Sequence, residues 1–161
     1  MLGAQFNFNF FYSALEQELE LLGVDTRRQT NIDGILRLPA REQLSVNNLK
    51  TSNVEVGHIA CTIRESLLEG VFEIAEHLVE TCKKEFSPGI IGPFALQGAI
   101  AQNEKEEFTC FDISFRIPGS PGTAYTPYSG YLFGQSLSYG TRIAKEIKNG
   151  EKEGKIDSLV T

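Results

Sequence analysis

Two apolar segments separated by a polar turn occupy residues 87–117, and they constrain the fold more than any other stretch of the chain. The turn lies at residues 103–106, and this pattern predicts a β-hairpin. If the turn centres between residues 104 and 105, Gln97 on the first strand lies directly opposite Asp112 on the second. Side chains alternate between the two faces of a strand, so this pairing fixes which residues share a face.

One face of the predicted hairpin is polar and the other is apolar. Ser114 and Arg116 follow Asp112 at intervals of two residues, so a hydroxyl and a guanidinium are expected near the carboxylate and near the amide of Gln97. A one-residue slip would exchange the faces and bury Asp112 and Arg116, which predicts a well-defined register. The opposite face of the second strand is expected to enter the core, and it carries Phe111, Ile113, Phe115 and Ile117.

Length and composition are those of an ordinary globular domain. The chain has 161 residues, enough for one domain with its own core, and its contents of 41% apolar and 22% charged residues are unexceptional. A net charge of −6 argues against a nucleic-acid partner held through phosphates, and no apolar run approaches the ~20 residues that cross a bilayer. Three widely spaced cysteines without a CxxC motif predict reduced thiols and a cytoplasmic location.

The segment 6–10 alternates phenylalanine and asparagine, which predicts a strand with one apolar and one polar face. Asn7 and Asn9 could meet water on a half-exposed strand. Alternatively they face a ligand cavity, since water-facing strand positions more often carry Thr, Lys or Glu. Because the chain starts almost at once with this strand, we expect a piece of a larger protein, with a self-associating edge at the strand.

Helical spacing of apolar residues predicts a helix that starts at a capping box at residues 62–65 and ends before residues 87–89. A second helix is predicted over residues 137–148, with Ile147 inward and Arg142 outward. Residues 13–28 combine helix formers with strand-like alternation, and we expect a short helical turn followed by a strand. Together these elements predict an α+β fold with two layers, a mainly antiparallel sheet with flanking helices.

His58 lies at the end of a predicted strand, shortly before the predicted helix that carries Arg64 and Ser66. Strand ends and helix N-termini often bind anions, so these three residues are candidate ligand contacts. A lone histidine is more often structural or exposed, and both interpretations stay open.

An amide and a carboxylate make a poor metal cage by themselves. They suit Mg²⁺, which keeps several waters and takes other ligands from substrate phosphates, so Gln97 and Asp112 are candidate metal ligands. Arg116 could then hold a phosphate oxygen. The alternative is a surface ion pair without function, and the hairpin alone does not separate the two.

Several strings, in order along all 161 residues, resemble one family. They include GAQFNFNFFYS, VGHIACTIRESLLEG, PGIIGPFALQ and FDISFRI. Together they resemble the C-terminal part of formate-dependent 5-formaminoimidazole-4-carboxamide ribonucleotide (FAICAR) synthetases, the PurP family of ATP-grasp ligases in purine (IMP) biosynthesis. GPFxLQ and RESLLE together are specific, whereas either alone is weak.

This resemblance implies that residues 1–161 form the C-terminal lobe of an ATP-grasp fold, without the N-terminal substrate domain and the glycine-rich ATP-binding subdomain. The implied reaction activates formate as formyl phosphate with ATP and Mg²⁺ (or Mn²⁺). The amino group of 5-aminoimidazole-4-carboxamide ribonucleotide then attacks the formyl carbon.

The resemblance also implies roles for individual residues. Gln97 and Asp112 fall at the metal ligands, where the family usually has Glu at the second position. Gln29 falls at an ATP contact expected to be Glu, and His58 at an imidazole-nucleotide contact that is usually Asn. In that reaction Arg64 and Arg116 are the expected catalytic residues, and the expected substrate contacts, besides His58, are Asn7, Asn9 and Ser66.

Departures from the family leave more than one functional hypothesis open. The chain is either the catalytic portion of this ligase or a binding or assembly module that keeps the fold without turnover, and the residues at positions 29, 58 and 112 favour the second. A third hypothesis is a stand-alone domain without a ligand. Expected partners are ATP, formate, the aminoimidazole nucleotide, and either further copies of the chain or the missing N-terminal half. Neither nucleic acid nor membrane is expected.

Overall fold

A computed structural model describes residues 3–46, 54–101, 106–119 and 122–160, without the side chains of residues 31 and 32. Five strands form one antiparallel sheet in the order β3-β2-β1-β4-β5. This confirms the predicted α+β fold with a mainly antiparallel sheet and flanking helices. The helices cover both faces of the sheet, so the layers are three rather than the two predicted. The strands are β1 (Ala4–Ser13), β2 (Glu18–Gln29), β3 (Glu55–Ala60), β4 (Gly92–Ile100) and β5 (Phe108–Ser114).

β1 is the central strand, paired with β2 on one side and with β4 on the other. The self-associating edge expected at this strand is therefore wrong, since both of its backbone edges are hydrogen-bonded within the sheet. The pairing with β4 joins segments far apart in sequence, and the alternation within β1 contains no information about it.

The longest helix described, α3 (Leu68–Glu85), packs on the phenylalanine face of β1. Its apolar side chains meet Phe8 and Phe10 in the main core, as its helical spacing predicted. The predicted capping box is wrong, because a 3₁₀ turn at Glu65–Leu67 precedes α3 and no side chain caps either element. The helices are α1 (Thr30–Leu36), α2 (Ala40–Gln43), α3 (Leu68–Glu85), α4 (Gly122–Tyr125), α5 (Tyr128–Phe133) and α6 (Tyr139–Glu153).

α4 and α6 cover the asparagine face of β1. Tyr139 of α6 packs against Phe11 and Leu22, and its hydroxyl donates to the Phe10 carbonyl at 3.1 Å. Gly122, at the start of α4, lies close to the amide of Asn9. The polar side chains of this face are therefore enclosed between the sheet and a helical layer.

α6 faces the sheet with different residues from those predicted. Arg142 is buried and bonded to Glu20 and Glu146, whereas Ile147 is 48% exposed. The prediction of an outward Arg142 is wrong, because its carboxylate partner Glu20 lies on the buried face of β2.

Candidate functional site

A row of polar side chains crosses four strands on the asparagine face. Asp25 of β2 lies opposite Asn7 of β1, Asn7 opposite Gln97 of β4, and Gln97 opposite Asp112 of β5. Directly opposite residues share a face, so the four side chains point to the same side of the sheet. Asp25 is fully buried and Asn7 is 3% exposed, whereas Asp112 is exposed. The row therefore runs from a buried end to an open one.

Asp25 organises the buried end. Its Oδ1 accepts a hydrogen bond from Asn7 Nδ2 and its Oδ2 accepts one from Asn9 Nδ2, both at 2.8 Å. Asn9 is 0% exposed, so the interpretation of a water-facing asparagine face is wrong. The asparagines belong to a buried hydrogen-bond network, and a ligand contact by either remains a prediction.

His58 joins this network from β3. Its Nδ1 contacts Asp25 Oδ1 and lies 3.0 Å from Asn7 Nδ2. Its Nε2 lies 2.7 Å from Glu55 Oε1, and Glu55 Oε2 lies 3.0 Å from Arg27 Nε. The imidazole is thus held between a buried carboxylate and a partly exposed one.

Sequence reasoning missed Asp25 and Glu55. The available signal was Asp25 itself, an acidic residue that directly follows the apolar run Leu21–Val24 of a predicted strand. A carboxylate in that position costs free energy unless donors surround it.

The open end of the row carries the two predicted metal ligands. Gln97 pairs with Asp112, as the sequence predicted. The Gln97 amide donates from Nε2 to Ser114 Oγ at 2.7 Å, which directs its carbonyl oxygen, the atom able to bind a cation, elsewhere. The register shifts one residue beyond this pair, because Gly98 pairs with Cys110 and Phe111 is an extra residue. The predicted turn at 103–106 lies outside the described residues except for its last position.

The second arm of the hairpin differs from the prediction beyond this pair. Ile113 packs against the core, but Phe111, Phe115 and Ile117 are each more than half exposed. The apolar face is not buried as a whole, because β5 is an edge strand and ends at Ser114. Arg116 lies beyond that end and is exposed, so it is not a member of the polar strand face, and its Nη1 donates to the Ile117 carbonyl at 3.3 Å.

The remaining predicted site residues lie apart from the row. Arg64 is exposed and pairs with Glu106, the last position of the predicted turn. Ser66 is exposed in the 3₁₀ turn before α3. Gln29 ends β2, and its Nε2 donates to Gln5 Oε1 at 3.1 Å. The structure does not bring Arg64 or Ser66 into the network around Asp25.

Cys61 follows β3 and packs at the margin of the main core. Burial, together with the nearby charge of Asp25, raises the pKa of this thiol to about 11.

Since the thiolate is the reactive form, we expect Cys61 to be alkylated by iodoacetamide at pH 8 roughly a hundredfold more slowly than an unperturbed cysteine. The rate should keep rising with pH up to about 11. Mass spectrometry of the labelled peptide measures this, with the urea-unfolded chain as control. Equal rates in both states would contradict it.

The donor set around Gln97 and Asp112 fits an open cation site. In the described segments, no group of three or more His, Cys, Asp or Glu residues is arranged to hold a metal ion. A cation bound by one amide oxygen and one carboxylate must take its other ligands from water or from a phosphate-bearing molecule.

Among the helices of the described segments, none is long and apolar enough to cross a membrane.

Comparisons with known proteins agree on one group of relatives. A family model described as a domain of unknown function (DUF1297) matches residues 1–161. A 5-formaminoimidazole-4-carboxamide-1-(beta)-D-ribofuranosyl 5'-monophosphate synthetase from Methanobrevibacter smithii is 45% identical over 161 residues, which cover 99% of this chain and 44% of the relative. The synthetase of the same name from Methanocaldococcus jannaschii is 42% identical over 163 residues, covering 100% of this chain and 44% of the relative.

A solved structure shows the same relationship. The chain resembles the crystal structure of an IMP biosynthesis protein PurP from Thermococcus kodakaraensis, with a TM-score of 0.78 and 32% identity over 100% of this chain and 50% of that chain. The predicted resemblance is confirmed. The chain spans less than half the length of the curated relatives it matches.

Proposed function

The chain belongs to the family described as DUF1297, and we propose that it forms part of a ligase that makes FAICAR in purine biosynthesis from ATP, formate and 5-aminoimidazole-4-carboxamide ribonucleotide. In this proposal residues 1–161 are a C-terminal lobe of ATP-grasp type. The substrate domain and the glycine-rich subdomain belong to a further portion. A cytoplasmic location and assembly with that portion, or with further copies of the chain, belong to the same proposal.

The observation that carries this proposal is the cross-strand row from Asp25 to Asp112, in a chain 45% identical to a FAICAR synthetase. The exposed carboxylate of Asp112 and the carbonyl oxygen of Gln97 would hold Mg²⁺ (or Mn²⁺) with ATP. When bound there, such a cation would supply positive charge against the phosphate groups of ATP. The buried end of the row, with Asn7, Asn9 and His58, is assigned to the aminoimidazole nucleotide.

The other predicted residues keep their assignments as proposals. Gln29 is assigned to ATP, and Arg116, just beyond the end of β5, to a phosphate oxygen. Arg64 and Ser66 lie apart from the row, so catalysis by Arg64 and binding by Ser66 require a substrate that extends to the N-terminal end of α3.

Asp112→Asn is expected to weaken binding of Mg²⁺-ATP to this chain about tenfold or more, because an amide replaces a charged oxygen ligand. A ligand that binds the folded state raises the melting temperature, so thermal unfolding with and without Mg²⁺-ATP measures the effect. Asp157→Asn is the matched control, since Asp157 is exposed in a C-terminal 3₁₀ turn. Equal stabilisation of both variants would remove Asp112 from the metal site.

A second candidate function is a binding or assembly module without turnover. The observation that favours it is that Arg64 and Ser66, expected in catalysis and substrate binding, lie apart from the row. Formate-dependent release of phosphate from ATP separates the two, measured with the chain alone and after adding the remaining portion of a relative in trans. Turnover by the chain alone, or by the chain with the added portion, supports the ligase. Ligand binding without turnover in both supports the module.

A further inference from the structure

Asp25 gathers three side chains from two other strands around one buried carboxylate. Asn7 and Asn9 donate to its two oxygens from β1, and His58 approaches Oδ1 from β3. The carboxylate is 0% exposed, while the His58 side chain is 21% exposed. A buried acceptor therefore anchors a ring that still reaches the surface.

The contact with Asp25 decides where the ring carries its proton. A carboxylate oxygen accepts hydrogen bonds, so Nδ1 of His58 must supply the hydrogen. An unprotonated Nδ1 would set two lone pairs against each other. Asn7 Nδ2, 3.0 Å from Nδ1, directs its hydrogen to the same Oδ1.

We infer that Asp25 is a positioning residue that holds His58 with Nδ1 protonated, so that Nε2 is the ring atom presented to a ligand. The inference rests on the proposed function for the identity of that ligand, the aminoimidazole nucleotide. It concerns a histidine at a position where the resemblance implies asparagine. A histidine has two ring nitrogens, and a fixed hydrogen bond at one of them leaves the other for a ligand. Asp25, buried at Nδ1, is the fixed partner, whereas Glu55, at Nε2, is partly exposed.

Nε2 lies on the side of the ring that a ligand can reach. By the same rule Nε2 donates to Glu55 Oε1, at 2.7 Å, as long as that carboxylate is in place. Glu55, which Arg27 holds on its other oxygen, is partly exposed on the edge strand β3. A ligand group can displace this carboxylate without disturbing the buried one. Asn7 is oriented in the same way, since only its NH₂ end can meet Asp25. Its Oδ1, which is buried and has no hydrogen-bond partner within the described part of the chain, is directed away from the carboxylate.

Nitrogen NMR of the chain labelled with ¹⁵N-histidine tests the inference directly. The chain has two histidines, and His77, exposed on α3, is an internal reference. At a pH where the ring nitrogen shifts show both imidazoles to be neutral, we expect His58 to keep a protonated Nδ1, and His77 gives the comparison for an exposed ring. An unprotonated Nδ1 in His58 overturns the inference, and this measurement needs no variant.

Two variants extend the test. Asp25→Leu is expected to move the proton of the neutral His58 ring from Nδ1 to Nε2, because leucine offers Nδ1 no acceptor whereas Glu55 still accepts from Nε2. Glu55→Gln is the matched control on the other side of the ring, and it is expected to change the Nε2 resonance alone. Circular dichroism checks that both variants fold. A folded Asp25→Leu variant whose neutral His58 ring keeps its proton on Nδ1 overturns the inference.

The nucleotide separates this inference from the proposed function. Saturating 5-aminoimidazole-4-carboxamide ribonucleotide is expected to shift the Nε2 resonance of His58 and to leave its Nδ1 resonance and His77 unchanged. A shift confined to Nδ1 overturns the inference. If neither histidine responds, the nucleotide assignment in the proposed function fails, while the tautomer measured without ligand still decides whether Asp25 positions His58.

Discussion

Replacing Arg142 by methionine is expected to lower the free energy of unfolding by about 3–5 kcal/mol. Arg142 is 3% exposed and donates from Nε and Nη2 to both oxygens of Glu20, at 2.6 and 2.7 Å, and from Nη1 to Glu146 at 2.8 Å. Its guanidinium also lies 4.2 Å from the ring centroid of Phe11. Methionine fills much of the same volume but leaves two buried carboxylates without their shared cation.

Urea unfolding of the variant measures this loss. Lys148→Met, at an exposed position of the same helix, is the matched control and is expected to stay within about 0.5 kcal/mol of the parent chain. The triple variant Arg142→Met, Glu20→Met, Glu146→Gln should regain much of the lost stability. It removes the unpaired charges, and the new amide oxygen at position 146 can still accept from Ser13 Oγ, as Glu146 does. A loss below about 1 kcal/mol in the single variant would mean that water reaches the two carboxylates.

The case of Arg142 shows what helical spacing can and cannot predict. The helical spacing of apolar residues predicted the position of α6 to within a few residues. Its inward face, however, was assigned from hydrophobicity alone. Ile147 is about half exposed and Arg142 is buried, because Glu20 on β2 offers a partner on the buried side. A partner that is distant in sequence is invisible to a local pattern.

The hairpin shows the same limit at shorter range. Alternation and the turn were enough to predict that Gln97 and Asp112 face each other, and the structure has this pair. The extra residue Phe111 was not predictable, since no local signal marks a bulge there. The edge position of β5, which leaves Phe115 exposed, follows from the order of all five strands.

The buried end of the site was the least predictable part. Asn7, Asn9 and His58 were identified separately, each with an exposed or structural alternative. Their common partner Asp25 lies on a third strand, and the pairings β1·β2 and β2·β3 bring the four together. Sequence reasoning therefore found the donors and missed the acceptor that gives them one orientation.

Gly23→Ala is expected to destabilise the fold by about 1–3 kcal/mol, the usual cost of forcing extra atoms into a packed interior. A Cβ at this position would lie 2.3 Å from the backbone carbon and oxygen of Gly122 and 2.5 Å from the Thr123 nitrogen. These are backbone atoms of α4, so no side chain can rotate away and the helix itself must move. Gly23 sits at the register shift of β2, opposite Asn9. Displacement of α4 would therefore expose the buried end of the site, where Asn9 lies.

Gly57→Ala separates this steric effect from the general effect of replacing a strand glycine. Gly57 lies on β3, and a Cβ there meets no atom of the described residues within 4 Å. The substitution reduces the freedom of the unfolded chain, so this variant should be unchanged or more stable by up to about 1 kcal/mol. Urea unfolding of both variants, with hydrogen exchange of the Asn9 side-chain amide as a local readout, tests the pair. If the two substitutions change the free energy of unfolding equally, α4 can move without destabilising the fold. The close approach of Gly23 to Gly122 would then have no role in covering the site.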